Sequence, residues 1–164
     1  MEMDTVDLVV ACAGLVYSAL GTGHSESVYH RAMEVELRAR VVRFETKVIV
    51  PISYRGLNVG YGEADLIVYT DQEPDGLVVE LKATTYAPRS QERAQLQSYL
   101  RARNTDRGVL VNFRQPTATT PAPDQVDYEE VYLVRHEGVV TPSHAKEESK
   151  TNDDQQDESK GKRC

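Results

Sequence analysis

At 164 residues and 18.4 kDa the chain is long enough for one domain and short for two. Hydrophobic residues are 40% of it, with no Trp and only two Phe, so a core has to be built from Val, Leu, Ala and Tyr. With 19 Lys and Arg against 26 Asp and Glu, the net charge of −7 argues against coating nucleic acid by bulk charge, and the two cysteines, Cys12 and Cys164, supply neither a disulfide framework nor a zinc or iron–sulfur cluster.

The start, Met1-Glu2-Met3-Asp4, is acidic, and the longest apolar run, Leu8 to Val16, is shorter than the roughly 18 residues of a membrane span. A soluble, intracellular protein with no signal peptide or anchor is the expectation. Val6, Val9, Val10, Ala13, Val16, Tyr17 and Leu20 recur at three-four spacing, predicting a helix over 4–20 that Gly21-Thr22-Gly23 stops. A second helix is expected from Ser25, whose hydroxyl would cap free backbone N–H groups, to about Arg40, with Tyr29, Ala32, Met33 and Leu37 inward.

From Lys47 the pattern turns β-branched. Val48–Tyr54 and Val59–Thr70 read as a hairpin around Arg55-Gly56-Leu57-Asn58, and Leu77–Ala83 as a third strand after an acidic loop at 71–76. Pro88 opens a helix to about Asn104, Arg107–Phe113 returns as a strand, and Val131–His136 is expected as the last one beyond a Pro-rich loop at 116–123. The order ααβββαββ predicts an α/β fold, a mixed sheet with helices against it. One folded domain over 1–141 is expected, followed by a disordered charged tail over 142–164.

The third strand carries the sharpest chemical signal. In Leu77-Val78-Val79-Glu80-Leu81-Lys82-Ala83 a carboxylate and an ammonium stand two apart in an apolar run, so they point to one face. Such a pair is often only a solvated edge. One strand earlier, however, Asp65 sits alone in Ala64-Asp65-Leu66-Ile67-Val68, and antiparallel pairing would bring Asp65 and Glu80 together. Two converging carboxylates repel unless a cation lies between them, and oxygen donors suit Mg²⁺ or Mn²⁺. With Lys82 beside them, the set meets the needs of metal-assisted phosphodiester hydrolysis: a polarised phosphate, acidified water, and a cation for the developing charge.

The chain resembles the GxxExxY family, a branch of the PD-(D/E)XK nuclease superfamily. The residues that carry the resemblance are Gly23-His24-Ser25-Glu26-Ser27-Val28-Tyr29, Asp65 in Glu63-Ala64-Asp65-Leu66-Ile67-Val68, Glu80-Leu81-Lys82-Ala83, Gln95 in Ala94-Gln95-Leu96-Gln97-Ser98-Tyr99-Leu100, and Leu110-Val111-Asn112-Phe113. They span roughly residues 4–115 in family order. The resemblance implies a restriction-endonuclease-like mixed β-sheet core, αβββαβ, flanked by helices. It implies an active centre of Asp65, Glu80 and Lys82, with Glu26 as a further carboxylate and Gln95 lining the site. The metal, Mg²⁺ or Mn²⁺, would be held by Glu26, Asp65 and Glu80. Ala64 replaces the motif's nominal proline, which removes no catalytic side chain.

Charge adds a direction to this. Residues 89–114 hold six arginines against Glu92 and Asp106, whereas 63–80 hold six acids and no Lys or Arg. Arg89 and Arg93, nearest the Gln95 helix, are the expected phosphate contacts. Tyr29, Tyr99 and Cys12 read as packing, and His24, His30, His136 and His144 as surface residues. The expectation is thus a Mg-dependent nuclease acting on nucleic acid, DNA more than RNA. The rival is a nuclease-fold adaptor without catalysis, and the tail or a homo-oligomer would supply any protein partner.

Overall fold

A computed structural model of the chain describes residues 3–135. The expected tail over 142–164, His136 and His144 lie outside them. Helix α1 spans Thr5–Leu20, where Asp4 caps the start by accepting the Val6 N–H and Gly21, at φ 68°, closes the end. Helix α2 spans Glu26–Ala39. Ser25 occupies its N-cap position, but its hydroxyl pairs with Ser27 Oγ instead of a backbone N–H, so the expected cap is absent. Strands β1 (Arg43–Tyr54) and β2 (Leu57–Tyr69) form a long hairpin, and β3 (Leu77–Lys82), α3 (Ser90–Arg103), β4 (Arg107–Asn112) and β5 (Asp127–Tyr132) follow. The last strand begins four residues earlier than the sequence suggests. Tyr128, Glu129 and Glu130 lack an apolar run, and pairing with β4 overrides that weak local pattern.

The five strands lie in chain order in one sheet; β3 and β4 are parallel, joined by the α3 crossover, and all other neighbours are antiparallel. Two apolar layers cover its faces. Val6, Val9, Ala13 and Val16 of α1 and Met33 and Leu37 of α2 pack on Leu66, Leu77, Val79, Leu81, Val109 and Val111. On the other face Leu96, Tyr99 and Leu100 of α3 pack on Val50, Ile67, Val78 and Leu110. Val78 faces α3, and strand alternation puts Glu80 and Lys82 on the same side.

The hairpin breaks this alternation near its middle. Phe44 packs with the α1/α2 layer, yet Val48, Val50 and Ile52, also even-numbered, join the α3 layer. On β2 the switch falls between Ala64, in the α3 layer, and Leu66 and Val68, in the α1/α2 layer. Pairs Thr46↔Leu66 and Val48↔Ala64 bracket the break, so Lys47 and Asp65 sit opposite one another within it. Lys47 is the residue that turns, with φ 52° in the left-handed region.

Candidate active site

The β2/β3 ladder runs through Ile67↔Val78 and Leu66↔Val79, and one further step places Asp65 opposite Glu80. There side chains take over the work of the backbone. The Asp65 N–H donates to Glu80 Oε1 at 3.2 Å, and the Leu81 N–H donates to Asp65 Oδ2 at 2.9 Å. The two carboxylates thereby satisfy two buried amides and are locked in place. Each keeps a second oxygen: Asp65 Oδ1 accepts from Lys47 Nζ at 2.6 Å, and Glu80 Oε2 lies 4.0 Å from Lys82 Nζ. Asp65 is 6% exposed and Glu80 2%. Burial, and then the Asp65 charge, push the Glu80 carboxyl up to about 8, against the pull of the Asp65 N–H and Lys82.

Glu26 opens α2. Burial raises its carboxyl above the usual range; Asp65 adds to the shift, and Lys82 and Lys47 oppose it. It therefore shares the field of the site. It does not close a cage, however: among the described residues no three Asp, Glu, His or Cys side chains are gathered to hold a metal ion. Of the expected trio of Glu26, Asp65 and Glu80, cross-strand register builds the Asp65/Glu80 pair, whereas Glu26 comes from the start of α2, which a separate clamp holds. In that clamp Tyr29 Oη donates to the Gly21 carbonyl at 2.6 Å, and its ring stacks on Phe113 at 4.4 Å. Gln115 joins both ends, accepting from the Gly23 N–H and donating to Tyr29 Oη. Gly23, at φ 92°, and Tyr29 thus fix the turn from which Glu26 starts.

Lys82 and Gln95 line one cleft of ≈ 400 Å³ with Thr84, Tyr86, Gln91 and Glu92. Gln95 Nε2 donates to Tyr99 Oη at 3.0 Å, and Tyr99 crosses β2 over Gly62. Asn112, the β4 partner of Lys82, shapes the cleft's far wall: its Oδ1 accepts from the Thr84 N–H, and its Nδ2 donates to the Tyr86 carbonyl. The Arg89 guanidinium lies 3.6 Å from the Tyr86 ring centroid, at the edge of this cleft.

Arg93 is differently employed from the expectation. Its Nε and Nη2 hold both oxygens of Glu129 on β5, and Nη2 also donates to the Pro88 carbonyl, so it braces α3 to the sheet. Arg107 is shared by Asp4, Glu73 and Glu130, and Arg114 is held by Asp127. The acidic 71–76 loop joins the ends of β2 and β3 remote from Lys82, and its Glu73 serves Arg107. Three arginines of the basic stretch therefore neutralise partners within the fold, whereas Glu63, Asp65 and Glu80 of the acidic stretch stand at the site itself.

Two contributors escaped the sequence reading. Lys47 is one. His30 is the other: it is 5% exposed, and its Nε2 donates to the Asp65 carbonyl at 3.0 Å, so the expected surface histidine supports the backbone of the site. An i, i+4 relation to Glu34 was its visible signal, and its Nδ1 lies 3.3 Å from that carboxylate. Lys47 gave no such signal.

A family profile described as the PD-(D/E)XK nuclease superfamily matches residues 3–122. A search among characterised proteins finds no significant match. Among solved structures, one titled "Crystal structure of SSO0001" aligns with a TM-score of 0.49 and 21% identity, covering 83% of this chain and 72% of that one. The chain belongs to the PD-(D/E)XK nuclease superfamily, and its five-stranded mixed sheet between helices is the restriction-endonuclease-like fold of that superfamily.

Proposed function

We propose that the protein is a metal-dependent nuclease that hydrolyses phosphodiester bonds, of DNA in preference to RNA, and that it belongs to the GxxExxY branch of its superfamily. The observation that carries this reading is the Asp65/Glu80 pair, each carboxylate held by a backbone amide of the opposite strand, with Lys82 beside it. The donor set fits Mg²⁺ or Mn²⁺: Asp65 and Glu80 each present one oxygen not used by the backbone, and Glu26 adds a nearby carboxylate. A divalent ion bound there supplies Lewis-acid polarisation of the phosphodiester.

The chain's own groups do the rest. Lys82, in the cleft, orients the attacking water or offsets charge developing on the phosphate. Gln95, held by Tyr99, directs an amide at substrate or water, and Arg89 contacts a flanking phosphate. Arg93 serves this surface by fixing α3.

Purified protein incubated with single- and double-stranded DNA, and with RNA, in Mg²⁺ or Mn²⁺ tests the reading. Cleavage of DNA is expected, with a loss of about a hundredfold or more in Lys82→Ala and Glu80→Gln. Activity that survives both substitutions belongs to a contaminant and sinks the proposal. One observation favours the adaptor instead: Asp65 Oδ1 is already taken by Lys47. A calorimetric titration without a Mg²⁺ or Mn²⁺ site, in protein that still binds nucleic acid, would establish that alternative.

A further inference from the structure

Lys47 holds a position that costs it conformational energy. At φ 52° a side chain with a Cβ is disfavoured, whereas Gly or Asn adopts this backbone readily. Such strain persists where the surroundings over-determine it, and it directs attention to what the side chain does there. The Nζ lies 2.6 Å from Asp65 Oδ1 and 3.7 Å from Glu63, on the open side of the β1/β2 kink. Half of the Lys47 side chain is exposed, although its carboxylate partner is buried. The ammonium is thus anchored at one end of the site and able to reach solvent, across the carboxylate pair from Lys82.

From this we infer that Lys47 is a second substrate-binding lysine of the site. It occupies Asp65 Oδ1 in the metal-free protein, and once a divalent cation claims that oxygen it turns to a phosphate oxygen of the nucleic acid. The inference rests on the nuclease reading and deepens it. Two cations cannot share one oxygen of a buried carboxylate at low cost, so Lys47 and the metal compete for Oδ1. A displaced ammonium beside Glu63, on the exposed hairpin, then meets the substrate backbone as a point charge. The strained φ keeps it in the kink, where an extended residue would carry its side chain along the strand's regular alternation.

The test compares Lys47→Met and Lys47→Arg with wild type in the full chain. Two quantities are read: Mn²⁺ affinity by calorimetry, and binding of a DNA oligonucleotide, single-stranded and duplex, with Ca²⁺ in place of the catalytic ion. The Met variant is expected to bind Mn²⁺ several-fold more tightly, because a competing cation is gone, and DNA about tenfold more weakly, because a phosphate contact is gone. Lys47→Arg should recover most of the DNA binding. Lys47→Gly, whose φ is free in the left-handed region, keeps the test alive should the Met variant fail to fold, and it should show the same opposed shifts. Opposite signs exclude a merely structural lysine, whose loss would weaken both. A Met variant with both affinities unchanged, or both lowered, overturns the inference while leaving a wild type that cuts DNA as a nuclease. A wild type that binds neither Mn²⁺ nor DNA overturns the nuclease reading and this one together.

Discussion

Glu80 is both the most buried acid of the site and the one least suited to remain ionised there. Its carboxyl, raised to about 8 by burial and by Asp65 against the pull of Lys82, favours the protonated form at neutral pH when no metal ion is bound. A raised carboxyl binds its proton more tightly folded than unfolded, so its stabilising contribution is complete below its ordinary value of 4.5 and disappears as pH rises towards about 8. Two measurements check this. Calorimetric titration of Mg²⁺ or Mn²⁺ near pH 7, in buffers of different ionisation heat, should register about one proton released, vanishing well above pH 8. Glu80→Gln, neutral at every pH, should melt higher than wild type above pH 8 and show no such advantage below pH 5. Identical pH profiles for the two proteins would mean that Glu80 is ionised in the empty site.

The same scale shows what a sequence can disclose. Glu80 and Lys82 were legible because a two-residue spacing fixes a shared strand face without knowledge of any partner. Asp65 needed only a hairpin to be set opposite Glu80. Lys47 was hidden, since Thr46-Lys47-Val48 reads as an ordinary strand entrance and its contact with Asp65 depends on a kink that no residue preference announces. His30 was hidden for the related reason that its partner is a backbone carbonyl 35 positions away.

At the level of elements, α3 is placed by close approach. A Cβ on Gly62 would stand 2.2 Å from Tyr99 Cε1, so β2 needs its glycine for Tyr99 to cross the strand and hold Gln95. Gly62→Ala should therefore cost about 1–3 kcal/mol in denaturant unfolding and lower cleavage by displacing Gln95. A variant with unchanged stability and rate would show that Tyr99 has another seat. Helices and central strands were legible from periodicity, but the start of β5 was not, because its pairing residues Tyr128 to Glu130 carry little apolar signal. The Arg93 brace to Glu129 shared that obscurity: it joins α3 to the strand that was misplaced.

For the whole molecule, the charge ledger changes meaning once distant partners are known. Arg93, Arg107 and Arg114 are committed within the fold, so the proposed phosphate contacts are three: Arg89, Lys82 and Lys47. Few phosphate contacts make a shallow salt dependence. Fluorescence anisotropy of duplex DNA in Ca²⁺ should give a slope of log affinity against log salt of about −3, near 0.9 per contact. A slope twice as steep would mean that internal ion pairs open for the substrate. The net charge of −7 is compatible with the proposed approach of nucleic acid through a small locally basic edge.

The hydrogen bonds that Asp65 and Glu80 accept from amides of the opposite strand bear on how an inactive form is to be made or recognised. The atoms proposed for cleavage also complete the β2/β3 ladder, since each carboxylate accepts an amide of the opposite strand. Truncating either acid strands a buried N–H at a cost of about 1–3 kcal/mol, so an alanine variant disarms and frays the sheet at once, whereas an amide replacement retains an acceptor. Folding alone would therefore select against losing these acids. A chain of this fold without catalysis would be expected to keep both acids, and to differ first at Lys82 or Gln95.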